Sequence, residues 1–127
     1  EAQRILETKE ESPIELRIMI SWLGPKFVLI TDGTKGAYAY NGDEAWFMPP
    51  YPDPKPPYER TGAGDAFSST FVAALGMGKS IEDALMMAPI NSMSVVQYIG
   101  AQEGLLTLPE LKKYLQQAPE DYKPRKL

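Results

Sequence analysis

Apolar positions along the chain change their period, and each change marks an element. Ile14, Ile18 and Leu16, Met19, Leu23 recur at helical spacing behind Ser12-Pro13-Ile14-Glu15. That opening offers Ser as the cap, Pro at the first helical position and Glu three residues after the cap, and Gly24-Pro25 closes the run. Phe27-Val28-Leu29-Ile30 is apolar without a break and of strand length, which predicts a strand covered on both faces in a parallel sheet. Ala37-Tyr38-Ala39-Tyr40 and Ala45-Trp46-Phe47-Met48 flank Asn41-Gly42-Asp43, and Asn-Gly supplies the positive φ of a hairpin turn. A helix is predicted over 65–75, stopped by Gly76-Met77-Gly78-Lys79. Ser80-Ile81-Glu82-Asp83 caps a further helix that runs to Tyr98 with a bend or break at Pro89. Thr107-Leu108-Pro109-Glu110 caps a last one through Leu115, and 2–8 fits a short first helix.

The segments between these elements carry less pattern. Six prolines fall within 49–57, a stretch unable to form a helix and poor in ladder donors. It reads as a surface connection, with a proline-recognition ligand as the rival view. Residues 121–127 read as a charged tail that frays, with no functional weight on Lys123, Arg125 or Lys126. Trp46 and the neighbouring tyrosines suit hairpin packing, and Met86, Met87 and Met93 suit core filling. Helices alternating with strands point to an α/β layer structure with an antiparallel hairpin attached, organised as a single domain over 1–127.

Composition narrows the chemistry. The chain has no cysteine and no histidine, so disulfides, thiolate metal sites, His triads and His metal cages are excluded. A base must be a carboxylate, Lys or Tyr. A net charge of −4 gives no footprint for nucleic acid. No apolar run approaches the ~20 residues that span a bilayer, and Glu1-Ala2-Gln3-Arg4 lacks an export pattern. The reading is cytoplasmic, with neither nucleic acid nor membrane as partner.

One stretch brings a site into view. Thr61-Gly62-Ala63-Gly64-Asp65-Ala66-Phe67 sets a small-residue turn directly before an apolar helical run, with a carboxylate at the junction. The first turn of a helix carries N–H groups without intrahelical partners, and residues without bulk let an anion approach them. Asp65 is then placed to accept the proton of a hydroxyl lying beside that anion. A tight loop with an aspartate at the positive end of a helix is the bland reading of the same residues. Two other nucleotide motifs fail on inspection. A dinucleotide fingerprint needs glycine where Phe67 stands, and a P-loop ending in Gly78-Lys79-Ser80 needs glycine at Ala73.

Thr61-Gly62-Ala63-Gly64-Asp65-Ala66-Phe67, continued by Ser68-Ser69-Thr70-Phe71-Val72-Ala73-Ala74-Leu75, resembles the C-terminal signature of the ribokinase-like (PfkB-type) carbohydrate kinases. Thr31-Asp32-Gly33-Thr34-Lys35-Gly36-Ala37-Tyr38 resembles that family's nucleotide loop, at the family's spacing. The resemblance implies the C-terminal portion of a three-layer α/β/α fold, without the N-terminal substrate and lid portion. It implies ATP-dependent phosphoryl transfer to a hydroxyl of a sugar or nucleoside, with Asp65 as general base and the amides of Gly62, Ala63 and Gly64 as anion hole. It also places Thr31, Gly33, Thr34, Lys35, Gly36 and Asn91 at the nucleotide, with Mg²⁺ carried by the phosphates. Glu59-Arg60-Thr61 departs from the family's usual Asp-Thr-Thr, leaving the carbonyls of Glu59, Thr61 and Gly100 as candidate ligands for K⁺ and Arg60 as a contact for a substrate phosphate. Two other classes stay open: a nucleotide-binding module that transfers nothing, and an interaction domain. A sheet without its N-terminal part is expected to self-associate.

Overall fold

The computed structural model describes residues 1–127. The chain forms two compact units, one of residues 1–48 with 125–127 and the other of residues 49–124.

The first unit contains α1 (Ala2–Ile5), α2 (Pro13–Ser21), β1 (Val28–Thr31), β2 (Ala37–Tyr40), β3 (Ala45–Met48) and β4 (Arg125–Lys126). Ser12 caps α2 as its sequence predicts, its Oγ accepting the Glu15 N–H at 3.4 Å. The four strands form one sheet in the order β1-β2-β3-β4, antiparallel throughout. The expectation of a parallel, doubly covered strand at 27–30 therefore fails for the pairing seen here. Only Val28 in β1 is buried, and Phe27 lies outside the strand and is 47% exposed. The cause is the connection: residues 32–36 are too few for a parallel crossover, which takes a dozen or more. The hairpin between β2 and β3 follows its prediction with a different turn. Gly42 alone takes positive φ, at 99°, while Asn41 Oδ1 accepts the N–H groups of Asp43 at 3.0 Å and Glu44 at 2.7 Å.

The tail does not fray. Arg125 and Lys126 pair with Phe47 and Trp46, the Leu127 N–H donates to the Ala45 carbonyl at 3.0 Å, and Lys126 pairs with Glu44. An open β3 edge offers ladder groups that any extended segment satisfies, and a lysine and an arginine suit the outer strand.

The second unit holds α3 (Ala63–Gly76), α4 (Ile81–Val95) and α5 (Leu108–Gln116). Ala66, Phe67, Thr70, Phe71 and Ala74 form the buried face of α3, which packs on α4. Its C-terminus closes in a Schellman arrangement about Gly78 (φ 78°), with Lys79 N–H to Ala74 O at 3.1 Å and Gly78 N–H to Leu75 O at 3.0 Å. Ser80 caps α4, accepting the Asp83 N–H at 3.0 Å. Pro89 is buried within α4 and does not break it, and the helix stops at Val95 rather than reaching Tyr98. Tyr122, expected in the loose tail, is 3% exposed, donates its hydroxyl to the Met86 carbonyl at 2.7 Å and meets the Tyr51 ring edge-on at 5.0 Å. No helix is long and apolar enough to cross a membrane.

Candidate functional site

The turn before α3 is built by one glycine and left open by another. Gly62 caps the helix in the left-handed region at φ 81°, where a side chain is strained. A Cβ there would also lie 2.6 Å from the Ala101 carbonyl oxygen and 2.8 Å from its Cα. Gly64 is exposed, with nothing within 4 Å of where its Cβ would stand. Nothing inside this chain requires glycine at that position, whereas a ligand approaching the backbone would.

The amides of this turn divide in the same way. Ala63 N–H points to the Arg60 carbonyl at 3.3 Å and Ala66 N–H to that of Gly62 at 2.8 Å, while those of Gly62, Gly64 and Asp65 have no acceptor. Asp65, in the first turn of α3, is exposed and makes no hydrogen bond or ion pair. The N-terminus of α3 thus presents unsatisfied donors at its positive end beside an unengaged carboxylate. Such an arrangement has the chemistry to receive an anion and to take up a proton next to it.

Behind the turn lies the 97–104 loop. Glu59 Oε1 accepts the Gly100 N–H at 2.6 Å, and Thr61 Oγ1 donates toward Glu59 Oε2 at 3.4 Å. Glu59, Thr61 and Gly100, named together from sequence for their carbonyls, are gathered here through the Glu59 carboxylate. Sequence reasoning missed that side chain, since a link across 41 positions leaves no local pattern. The Tyr58 and Glu59 N–H groups both reach the Val96 carbonyl, at 2.7 and 3.4 Å. Asn91 is buried, donating from Nδ2 to Thr70 Oγ1 at 2.8 Å and accepting the Leu106 N–H at 2.9 Å. Its amide joins α3, α4 and the incoming chain of α5, so an internal task occupies most of the group expected at a nucleotide.

In the first unit, residues 31–36 turn through a 3₁₀ segment (Gly33–Lys35), closed by Lys35 N–H to Asp32 O at 3.0 Å and Asp32 N–H to Gly36 O at 2.8 Å. Thr31, Gly33, Thr34 and Lys35 are exposed. Gly36 is buried at φ 118°, and a Cβ there would collide with the Met48 carbonyl and reach 2.8 Å from the Phe47 ring. The glycine at 36 therefore serves the strand beneath it, whereas Gly33 stands in open space. The Lys35 ammonium is 3.9 Å from Asp32 Oδ2 and remains 79% exposed. No group of three or more carboxylates converges to hold a metal ion.

These features have relatives. A family model described as pfkB family carbohydrate kinase matches residues 1–108. The ribokinase of Bacillus subtilis is 37% identical over 93 residues, covering 73% of this chain and 31% of the relative. The cytidine kinase of Thermococcus kodakarensis is 34% identical over 84 residues, covering 66% of this chain and 30% of the relative. Among solved structures, Arabidopsis thaliana ribokinase complexed with ribose and ATP superposes with a TM-score of 0.81 at 27% identity, covering 91% of this chain and 38% of that one. The chain thus spans about three tenths of the length of these curated relatives, and its α/β fold is that of the ribokinase-like kinases.

Proposed function

The chain belongs to the pfkB family of carbohydrate kinases, and from that premise we propose that it carries the phosphoryl-transfer turn of an ATP-dependent kinase acting on a hydroxyl of a sugar or nucleoside. The observation that carries this reading is the set of unsatisfied N–H groups at the start of α3 beside the unengaged Asp65 carboxylate. Phosphoryl transfer needs alignment and charge stabilisation more than covalent chemistry from the protein. The Gly62 and Gly64 amides, joined by that of Ala63 once it exchanges the Arg60 carbonyl for the ligand, hold the transferring group as its charge shifts. Asp65 accepts the proton of the attacking hydroxyl.

Thr31, Gly33, Thr34 and Lys35 are proposed as nucleotide contacts in the first unit, with hydroxyls, an open backbone and a mobile positive charge for phosphate. Gly36 supports them by shaping the turn, and Asn91 supports the second unit by fixing its loop. Mg²⁺ is carried by the phosphates and water. The carbonyls of Glu59, Thr61 and Gly100 are the proposed seat of a K⁺ ion.

The test is calorimetric titration of the chain with Mg·ATP, beside a Gly64→Val variant whose added side chain enters open space. Saturable binding that the variant weakens at least tenfold, with its circular dichroism unchanged, supports the reading. Equal binding by both proteins overturns it. With the N-terminal substrate part of such a kinase restored, Asp65→Asn then separates a kinase from a module that only holds nucleotide: a kinase keeps affinity and loses turnover, and a pure binder gains affinity as a carboxylate leaves the phosphates.

A further inference from the structure

The turn that presents the free amides is held on its helix side, where Ala63 packs against Ala66, Val95 and Val96 and the Ala66 N–H reaches the Gly62 carbonyl at 2.8 Å. Gly62 is the most permissive residue type in a left-handed conformation, and Gly64 meets nothing. What rests against its other side is the loop, since Gly62 has no room for even a Cβ beside Ala101. The far end of that loop is fixed independently, with Ser94 Oγ donating to the Gly104 carbonyl at 2.7 Å and the Leu106 N–H to Asn91 Oδ1 at 2.9 Å. Its middle, where Gly100 takes φ 98°, is tied by the 2.6 Å bond from Gly100 N–H to the Glu59 carboxylate. A bond of that length to a charged acceptor is of the strong kind.

We infer that Glu59 is a positioning residue for the phosphate-binding turn: its carboxylate draws Gly100 and Ala101 against Gly62, and that contact sets the direction in which the Gly62 and Gly64 amides point. Its second oxygen, 3.4 Å from Thr61 Oγ1, faces the residue that leads into the turn. One side chain therefore spans both walls of the contact. The consequence for binding rests on the functional reading above, whereas the consequence for the turn's order does not.

The experiment uses the 127-residue chain with Glu59→Ala, Glu59→Asp and Glu59→Gln, two readouts and one control. Backbone ¹⁵N relaxation gives the order parameters of Gly62 and Gly64, and calorimetry gives the Mg·ATP affinity. In Glu59→Ala and Glu59→Asp, which remove the acceptor or shorten its reach, the order parameters fall from about 0.85 to below about 0.6, and affinity falls about tenfold. Glu59→Gln keeps an oxygen for Gly100 and gains a donor for Thr61, so it holds both values, with affinity within about threefold of the wild type. Ser94→Ala loosens the far end of the loop and lowers the melting temperature without moving Gly62 or Gly64. Order parameters at Gly62 and Gly64 unchanged in Glu59→Ala overturn the inference, and so does a Gln variant as mobile as the Ala variant. A wild-type chain that binds no Mg·ATP refutes the nucleotide reading instead, and the order parameters still decide what Glu59 does.

Discussion

Two glycines of one turn, two positions apart, respond to alanine with opposite signs. At Gly62 the backbone sits at φ 81°, and holding an L-residue there costs about 1–2 kcal/mol. The added Cβ also stands 2.6 Å from a carbonyl oxygen and 2.8 Å from a Cα of Ala101, both backbone atoms that yield only if the loop shifts. Overpacking of that kind costs about 1–3 kcal/mol, so Gly62→Ala is expected to lose about 2–5 kcal/mol in all. Gly64 lies inside α3 with open space around it, and alanine there removes freedom from the unfolded chain and favours the helix by about 0.4–1 kcal/mol. Urea titration followed by circular dichroism at 222 nm measures both. With a slope of about 1–3 kcal/mol per molar, the first variant shifts its midpoint down by about a molar or more and the second moves slightly up. A Gly62→Ala protein as stable as the wild type would refute the packing of the turn on Ala101. A Gly64→Ala protein destabilised by more than about 1 kcal/mol would refute the open surroundings of Gly64, and with them the claim that its glycine is kept for a ligand.

Three further outcomes are expected. Burial, reinforced by the neighbouring Tyr51, pushes the Tyr122 phenol far above its usual 10.0. Its contribution to stability is therefore complete below about pH 10 and is lost as pH rises above that value. Tyr122→Phe should cost about 1 kcal/mol at neutral pH and flatten the alkaline limb of a melting-temperature profile; an unchanged limb would show that another group governs it. The Glu110 carboxyl is held below its usual 4.5 by the Thr107 hydroxyl first and the Thr107 N–H second. That stabilisation is present above pH 4.5 and disappears as the group protonates at lower pH, so Glu110→Gln should melt with a shallower acid limb than the wild type. For Asn91, replacement by Ala leaves the Leu106 N–H and the Thr70 hydroxyl without their partner, an expected loss of about 2–4 kcal/mol. Thr70→Val added to Asn91→Ala should then cost much less than it does alone, and simple additivity in that cycle would count against a shared network.

Local chemistry was readable from sequence wherever a residue acts on its neighbours. Ser12 and Ser80 cap the helices they precede, Gly78 ends α3, and Asn41-Gly42 turns the hairpin. The turn before α3 was readable for the same reason, because Gly62 shapes it and Asp65 follows three residues later. What failed was whatever depends on distant partners. An apolar run at 27–30 states that a strand is present but not in which direction its neighbour runs, and the short connection to β2 decided that. The charged tail looked solvated because its sequence carries no sign that β3 has an open edge. Pro89 suggested a bend or a break, and the break does not occur: a proline removes one hydrogen bond, and buried packing on both sides of it holds α4 continuous. The bonds from Asn91 to Thr70 and Leu106, 21 and 15 positions away, likewise left no trace in the sequence.

The closing strand of the first unit has a consequence for the order of events during synthesis. Met48 ends β3, but the residues that cover its outer edge, numbers 125 and 126, are made only after the whole of 49–124. The nascent sheet therefore waits, with a row of unpaired peptide groups exposed, while the ribosome makes the entire helical unit. At a few to some tens of residues per second that interval is on the order of seconds, time enough for a holding chaperone or another extended segment to occupy the vacancy.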